Sequence, residues 1–438
     1  MIKVNFSNQT GIIKPMHAVN NGPVPASREQ TRGNFDTFKA LDIPYVRNHD
    51  ASFFAAYGGE HTVDVHAIFP DFNKDENDET SYDFTYTDMY TSNIYKAGAK
   101  VFYRLGSKIE HGIKKYGTLV PPDFKKWAGI CEHIIMHYTE GWANGFKYDM
   151  PYWEIWNEAD GVNGNGDQPN WSGSALQYYE MYDIAARHLK KRFPHLNIGG
   201  PALSFIGDGK WLDGFLKYIT KSSKAPLDFF SWHIYTAEPK DIASDSRRLR
   251  KILDSYGYNE TKIICNEWNY VENFGERWIA SIEHMIGMHG AAFMAAAMLN
   301  EQKDINCDML MYYDVRPCTM NGVYDFYTLR PIKGYYVLKC FSNLYKLSNE
   351  TECVCDDENV YACAASDGDK CAVMLVNYSS DLNAVQKKVK LDFGKDLSSF
   401  AMYIIDKENN LTQTLLPPDG ELCLYPDTVA FFANYPIG

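Results

Sequence analysis

The stretch Tyr152-Trp153-Glu154-Ile155-Trp156-Asn157-Glu158-Ala159-Asp160 is an apolar run that passes into polar residues. Its apolar first half predicts a buried strand, and the Asn-Glu pair at its end meets a loop rich in Gly and Asn (161–166). Strict alternation predicts two faces: Trp153, Ile155 and Asn157 on one, and Tyr152, Glu154, Trp156 and Glu158 on the other. A carboxyl group between Trp rings loses hydration of its charged form, which raises its pKa and suits a general acid. Glu158 is therefore a candidate acid, with capping of the loop as the structural alternative.

Similar apolar runs recur along the first three quarters of the chain and predict eight strands. They lie at 12–19, 41–47, 100–105, 152–156, 196–200, 227–234, 262–265 and 309–313. Segments with helical spacing separate them, including one opened by Pro121-Pro122-Asp123, one over 178–189 and one over 276–299. Alternating strands and helices predict a (β/α)8 barrel over residues 13–334. An open doubly wound sheet is the alternative, although no GxGxxG motif opens a helix after an early strand.

After residue 334 the sequence no longer alternates between strand and helix patterns. Short apolar runs separated by Asp, Gly, Asn and Ser follow one another from 360 to 432. They predict an antiparallel β-sandwich formed by residues 335–438 together with the first strand in 1–12. Since no low-complexity linker joins the two domains, we expect them to pack rigidly.

A second glutamate ends an apolar run in the same manner as the first. Ile263-Ile264-Cys265-Asn266-Glu267-Trp268-Asn269 places Glu267 beside Trp and Asn at a strand end. Active sites of parallel barrels lie at that face, and glycoside hydrolysis needs two carboxyl groups across the scissile bond. On the preceding strand, His233 and Tyr235 share a face, and a Tyr hydroxyl donated to a carboxylate keeps it ionised. A satisfied core histidine is the alternative for His233.

The composition excludes several classes of partner. A net charge of -13 repels phosphate backbones and anionic lipid, so we expect neither nucleic acid nor a membrane as partner. Aromatic residues make up 15% of the chain, enough to stack on sugar rings or simply to fill a large core. The 10 cysteines are scattered like buried thiols. Without a basic and apolar leader, a cytoplasmic location is expected, although a trimmed signal peptide would give the same start.

The motifs resemble those of glycoside hydrolase family 39. The resemblance rests on Trp153-Glu154-Ile155-Trp156-Asn157-Glu158, on Arg47-Asn48-His49, on Ser231-x-His233-x-Tyr235 and on Glu267. It implies a retaining enzyme of clan A, with catalytic glutamates on barrel strands four and seven. Our strand count puts Glu158 and Glu267 at those two positions.

The resemblance also implies roles for individual residues. Glu158 would be the acid/base and Glu267 the nucleophile. Asn157 would bind the hydroxyl next to the anomeric carbon, and Tyr235 would orient Glu267. The implied substrate-binding set is His49, Asn157, His233, Tyr235, Trp268, Tyr313 and Asp314, with core packing as an equal alternative for Trp268. The resemblance implies no cofactor and no metal. The partner would be an oligosaccharide or glycoside substrate, and assembly into a homo-oligomer is an open possibility.

Three departures from the family pattern concern the substrate. Ala159 replaces the usual Pro, Asn266 precedes the nucleophile, and Tyr313-Asp314 occupies the usual Trp position of strand eight. A uronic acid would need basic residues, and near the strand ends only Arg104 and Arg316 are candidates. We therefore expect an exo-acting glycosidase on β-xylosides or related arabinosides of plant-type oligosaccharides, with a hexose or uronic acid as the alternative glycone.

Two other classes of function compete. A non-catalytic carbohydrate-binding barrel would keep the aromatics but has no need of both glutamates. A metallohydrolase could use a cluster of Asp50, His61, Asp64 and His66, although their spacing matches no zinc helix. We expect Glu154 to be structural. The retaining mechanism predicts carboxyl groups about 5–5.5 Å apart, against about 9 Å for an inverting one.

Overall fold

The computed structural model describes residues 1–24, 33–49, 62–162, 166–207, 209–316, 318 and 320–437. After a first strand, β1 (Ile2–Ile12), eight parallel strands close into a barrel. They are β2 (Ala18–Asn20), β3 (Tyr45–Arg47), β4 (Lys100–Leu105), β5 (Tyr152–Ile155), β6 (Asn197–Leu203), β7 (Phe229–Thr236), β8 (Lys262–Tyr270) and β9 (Met309–Tyr312). All eight predicted strands are present, so β5 is barrel strand four and β8 is barrel strand seven.

Helices surround this barrel. They are α1 (Phe35–Lys39), α2 (Val65–Ile68), α3 (Thr85–Lys96), α4 (Phe124–Thr139), α5 (Ala175–Arg192), α6 (Lys210–Ile219), α7 (Pro239–Ser255), α8 (Trp278–Met285), α9 (Met288–Lys303) and α10 (Lys333–Leu347), with 3-10 turns at Glu79–Ser81, Trp142–Asn144 and Leu397–Ser399. The side chain of Asp123 caps α4, and Ser174 and Gln177 form a capping box on α5. The single helix predicted over 276–299 is wrong: Gly287 lies in extended conformation and separates α8 from α9.

The inside of the barrel is layered. Its lower layer is apolar and includes Ala18, Phe102, Tyr152, Phe229 and Ile264. Because side chains of a strand alternate, residues two positions further along point inward again, one layer higher. Those residues are polar: Asn20, Arg104, Glu154, Ser231 and Asn266, all buried. This layer of hydrogen-bonding side chains lies directly below the carboxyl end of the barrel, and we call it the floor of the site.

A mixed sheet forms the second domain. Its strands are β1, β10 (Asn349–Cys355), β11 (Val360–Ser366), β12 (Cys371–Asn377), β13 (Lys387–Asp392), β14 (Ala401–Ile405), β15 (Asn410–Thr414), β16 (Glu421–Leu424) and β17 (Thr428–Ala433). The hydrogen-bonded order is β15-β14-β17-β12-β11-β10-β1-β13-β16, in which only β1 and β13 pair in parallel. Both ends of this order supply side chains to one apolar core, so the sheet packs as a sandwich. The predicted combination of a (β/α)8 barrel and a sandwich is confirmed.

The two domains share a continuous apolar core. The other face of the sheet, with Cys363, Met374 and Phe431, belongs to the same cluster as the barrel helices. Helix α9 lies between barrel and sheet, which explains why it is apolar on nearly every side. The predicted boundary at residues 334 and 335 falls within the first turn of α10. Over the described ranges, no helix combines the length and the apolar character needed to cross a membrane.

Candidate active site

The backbone turns sharply where β5 ends. Trp156 and Glu158 both have positive φ angles, 73° and 47°, which break the alternation of the strand. The indole of Trp156 therefore packs outward against Trp127 and Trp171, while Asn157 points inward. The predicted two-face pattern holds through Ile155 and is wrong beyond it. Backbone strain of this kind collects at functional sites.

Gly106, just past the end of β4, makes room for this turn. A Cβ atom at this position would lie 2.9–3.1 Å from the Trp156 ring and its Cα, closer than side chains pack. Its φ of 144° also disfavours any other residue. The sharp end of β5 thus depends on a glycine on the neighbouring strand.

Glu267 lies at the centre of the barrel mouth with a nearly buried side chain. Tyr235 donates its hydroxyl to Oε1 at 2.5 Å, and Arg47 donates from Nη1 to Oε2 at 3.1 Å. Burial raises the pKa of Glu267 and the charge of Glu158 adds to the rise, whereas Arg47 and the Tyr235 hydroxyl oppose it. Burial also raises the pKa of Tyr235 well above its usual value, so its hydroxyl remains a donor.

Glu158 faces Glu267 across the mouth. Its Oε1 lies 2.7 Å from Nδ1 of His233, and its Oε2 accepts a hydrogen bond from Nδ2 of Asn170 at 3.0 Å. Burial lowers the pKa of His233, so this ring is neutral near pH 7 and carries one N–H. One carboxyl oxygen of Glu158 lies within 4.8 Å of one of Glu267. That separation fits the two carboxyl groups of a retaining glycosidase, about 5–5.5 Å apart, and not the wider inverting arrangement.

Arg47 forms hydrogen bonds to several side chains of the floor and of the site above it. Its guanidinium bonds Glu154 at 2.8 Å, Asn157 at 2.6 Å and Asn20 at 3.2 Å, besides Glu267. Arg47 and Glu154 are both fully buried, so the charge of each depends on the other. Glu154 therefore has the structural position that the sequence predicts for it.

Comparison with known proteins agrees with this geometry. The family model described as glycosyl hydrolases family 39 matches residues 30–274, more than half of the chain. The chain belongs to this family. A beta-xylosidase of Geobacillus stearothermophilus is 28% identical over 209 residues, which are 45% of this chain and 37% of that protein. A beta-xylosidase of Caldicellulosiruptor saccharolyticus is 26% identical over 256 residues, 55% of this chain and 47% of that protein.

One solved structure covers nearly the whole length of this family 39 chain. A glucosidase from Croceicoccus marinus has a TM-score of 0.80 at 20% identity, over 99% of this chain and 98% of its own. The likeness extends across barrel and sandwich and shows a shared fold. The alignments with the two beta-xylosidases, by contrast, span less than half of the length of those relatives.

The structure brings together only some of the predicted substrate-binding residues of the family 39 site. His49 lies at the centre, with Nε2 4.0 Å from Oε2 of Glu267. Tyr313 is partly exposed, and its ring centroid is 6.2 Å from that of His49. Asn157, His233 and Tyr235 contact Arg47 or the two glutamates, as described above.

Two of the predicted binding residues do not line the site. Trp268 is fully buried in the core against Phe293 and Tyr312, away from the two glutamates. Asp314 is also fully buried, and its carboxylate pairs with Arg316 at 3.2 Å. Substrate contact was the wrong interpretation for both residues.

Part of the predicted metal-binding cluster lies within the described residues. Asp50 and His61 lie outside the described residues. Asp64 pairs with the buried Arg104 at 2.6 Å, which occupies a carboxylate that a metal would need. Within the part of the chain that is described, the group with suitable ligand spacing is Glu158, His233 and Glu267 themselves. A cation there would compete with the two carboxyl groups for their roles toward a substrate.

Several residues of the site were not predicted from the sequence. Asn20 donates to the backbone of Asn266, and Asn266 donates to Glu154 at 2.5 Å, which completes the floor. Their positions two residues beyond an apolar inward residue could have indicated this. Asn170 lies in a loop without periodicity, and its contact with Glu158 could not have been found from the pattern.

Proposed function

We propose that the chain is a retaining glycosidase that removes a terminal neutral sugar, a β-xylosyl or related pentosyl residue, from a glycoside. The proposal is supported by Glu158 and Glu267, which lie at the carboxyl ends of barrel strands four and seven with one carboxyl oxygen of each within 4.8 Å of the other. A pair at this distance leaves room for a sugar carbon but not for an additional water molecule.

In the first step, Glu267 attacks the anomeric carbon while Glu158 protonates the departing oxygen. The bond to the leaving group breaks as a glycosyl–Glu267 ester forms, and the proton of Glu158 leaves with the alcohol. Tyr235 and Arg47 hold the two oxygens of Glu267 in one orientation, so the attacking lone pair is directed before the sugar arrives.

In the second step, Glu158, now a carboxylate, takes a proton from water. The hydroxide attacks the anomeric carbon from the face that the leaving group vacated, and Glu267 leaves as a carboxylate. Two inversions give net retention. Neutral His233 beside Glu158 can donate or accept at Nδ1, so it can accompany either protonation state of the acid/base.

A neutral glycone is supported by the state of the nearby cations. Arg47 is shared between Glu154 and Glu267, Arg104 pairs with Asp64, and Arg316 pairs with Asp314. Among these arginines of the described barrel mouth, none has a charge left to balance the carboxylate of a uronic acid. The names of the two curated relatives, both beta-xylosidases, support a pentose.

Aryl glycosides test the proposal. The wild-type chain should hydrolyse 4-nitrophenyl β-xyloside or α-L-arabinofuranoside, and Glu267→Gln should lose turnover while it remains folded at the assay temperature. Proton NMR during the first turnovers should show the released sugar in the anomeric configuration of the substrate. Release of the opposite anomer, or normal turnover by Glu267→Gln, would contradict the mechanism. Hydrolysis of β-glucosides alone would replace the pentose by a hexose and leave the mechanism intact.

A further inference from the structure

Asn170 lies in the loop between β5 and α5 and reaches back to the acid/base. Its side-chain nitrogen is 3.0 Å from Oε2 of Glu158. The residue is buried, with 1% of its surface exposed. His233 contacts Oε1, and Asn170 contacts the second carboxyl oxygen. The two contacts together fix the plane of the carboxyl group.

The loop holds Asn170 through its backbone rather than through its side chain. The carbonyl of Asn170 accepts a hydrogen bond from the indole of Trp156 at 2.7 Å. On either side, the carbonyl of Pro169 accepts from the backbone of Glu110 at 2.9 Å, and the backbone N–H of Ser172 donates to Thr118 at 2.9 Å. These contacts would persist with any residue at position 170.

The side chain of Asn170 makes a poor contribution to folding. Its Oδ1 is buried and has no hydrogen-bond partner among the described residues. A buried polar atom without a partner destabilises the folded state, and a small apolar side chain would avoid that cost. What the amide provides in return, among the described residues, is its hydrogen bond to Glu158.

We propose that Asn170 is a positioning residue for Glu158, which directs the carboxyl group toward the leaving-group oxygen and stabilises the negative charge that remains when the proton has been donated. The inference rests on the proposed function, because it assumes that Glu158 donates that proton. Charge develops on Glu158 in the transition state of the first step. A donor already aimed at Oε2 stabilises this charge without any rearrangement.

The kinetic test compares two leaving groups. Asn170→Ala should lower kcat/KM for 4-methoxyphenyl β-xyloside by about 10-fold or more, because general acid assistance as a whole contributes about 10²–10⁴-fold. For 2,4-dinitrophenyl β-xyloside, which needs little protonation, the change should stay within about twofold. Asn170→Asp, of nearly the same shape, should also lower the first value, since it removes the donor and adds a negative charge.

The matched control is Asn343→Ala in α10. Asn343 is buried and donates to the backbone of Lys339 at 2.9 Å, far along the chain from the site. Its removal should affect stability without distinguishing the two substrates. An equal loss on both substrates for Asn170→Ala would show a merely structural role and would overturn the proposal, as would no loss on either.

A second measurement needs no substrate. In the full chain labelled with ¹³C-glutamate, the carboxyl resonance of Glu158 is identified by its absence in Glu158→Gln. Its pKa should rise in Asn170→Ala, because the charged form loses a donor, and should rise further in Asn170→Asp. An unchanged titration in Asn170→Ala would refute the inference. If the wild type cleaves no xyloside, the proposed substrate fails, while this titration still decides the role of Asn170.

Discussion

Replacing Tyr235 by Phe removes one hydrogen bond from the nucleophile and keeps the aromatic ring. The hydroxyl donates to Oε1 of Glu267 at 2.5 Å, the Glu267 side chain is almost fully buried and Tyr235 is partly buried, so solvent screening of this contact is reduced. A hydrogen bond to a charged group contributes about 1.5–3 kcal/mol. Because that bond favours the ionised form, its loss raises the pKa of Glu267, which burial and Glu158 already raise.

The consequence is a loss of activity on the acid side of the pH profile. The nucleophile must be ionised in the free enzyme, so on the acid limb kcat/KM is proportional to its acid dissociation constant. At 1.36 kcal/mol per tenfold change, the hydrogen bond corresponds to about 10- to 150-fold lower kcat/KM on that limb. The limb should move to higher pH.

The assay is kcat/KM for an aryl xyloside measured across the pH range. Tyr258→Phe is the matched control: its hydroxyl is buried and donates to the backbone of Ala225 at 2.9 Å, at the opposite end of the barrel. It should leave the acid limb in place. An acid limb for Tyr235→Phe that coincides with that of the wild type would refute the role assigned to this hydroxyl.

Three other predictions follow from the charges around the site. Glu154→Gln leaves the charge of the buried Arg47 poorly compensated and should lower the free energy of unfolding, measured in urea, by about 3–5 kcal/mol. The control Asp183→Asn, which removes a partly exposed ion pair, should lower it by less than about 1 kcal/mol. Equal losses would contradict the structural role of Glu154. Burial raises the pKa of Asp160 from 3.8 to about 6, so the folded state favours the protonated carboxyl group. The stability that this preference gives is complete below about pH 4 and is lost as the pH rises through 6. Asp160→Asn should therefore gain stability relative to the wild type between pH 4 and pH 7 in urea unfolding, and a constant difference would oppose this. Glu158→Ala should keep the first step with 2,4-dinitrophenyl substrates but lose about 10²–10⁴-fold on poorer leaving groups, and a uniform loss would argue against its role as acid.

The sequence predicted the barrel because its strands are buried apolar runs that end in polar residues. The run from Lys100 to Leu105 is a strand with the same bounds in the structure. The two glutamates stood out because each follows such a run, and parallel strands bring their carboxyl ends to one face. The family resemblance carried by these motifs is confirmed by the match over residues 30–274.

What the sequence did not reveal depends on turns and on distant contacts. The positive φ of Trp156 turns its own side chain outward and that of Asn157 inward, and a tryptophan in the sequence does not indicate a positive φ. Asn170 reaches Glu158 across a loop without a repeating pattern. Glu267 and Trp268 are neighbours in β8, but the register of the strand is irregular between Cys265 and Trp268, so alternation alone could not tell which of the two points inward. Asp314, in contrast, could have been paired with Arg316, two residues further along.

Glu267 should form a covalent bond to the sugar, and mass spectrometry of a trapped intermediate can detect this bond. Incubation with 2-deoxy-2-fluoro-β-xylosyl fluoride, whose fluorine at C2 slows release of the sugar, should add one fluoroxylosyl group to the chain. Peptide mapping should place that group on the carboxylate of Glu267, and Glu267→Gln should remain unlabelled. A label on Glu158 or on any other residue, or hydrolysis of the reagent with inversion and without any adduct, would contradict the account.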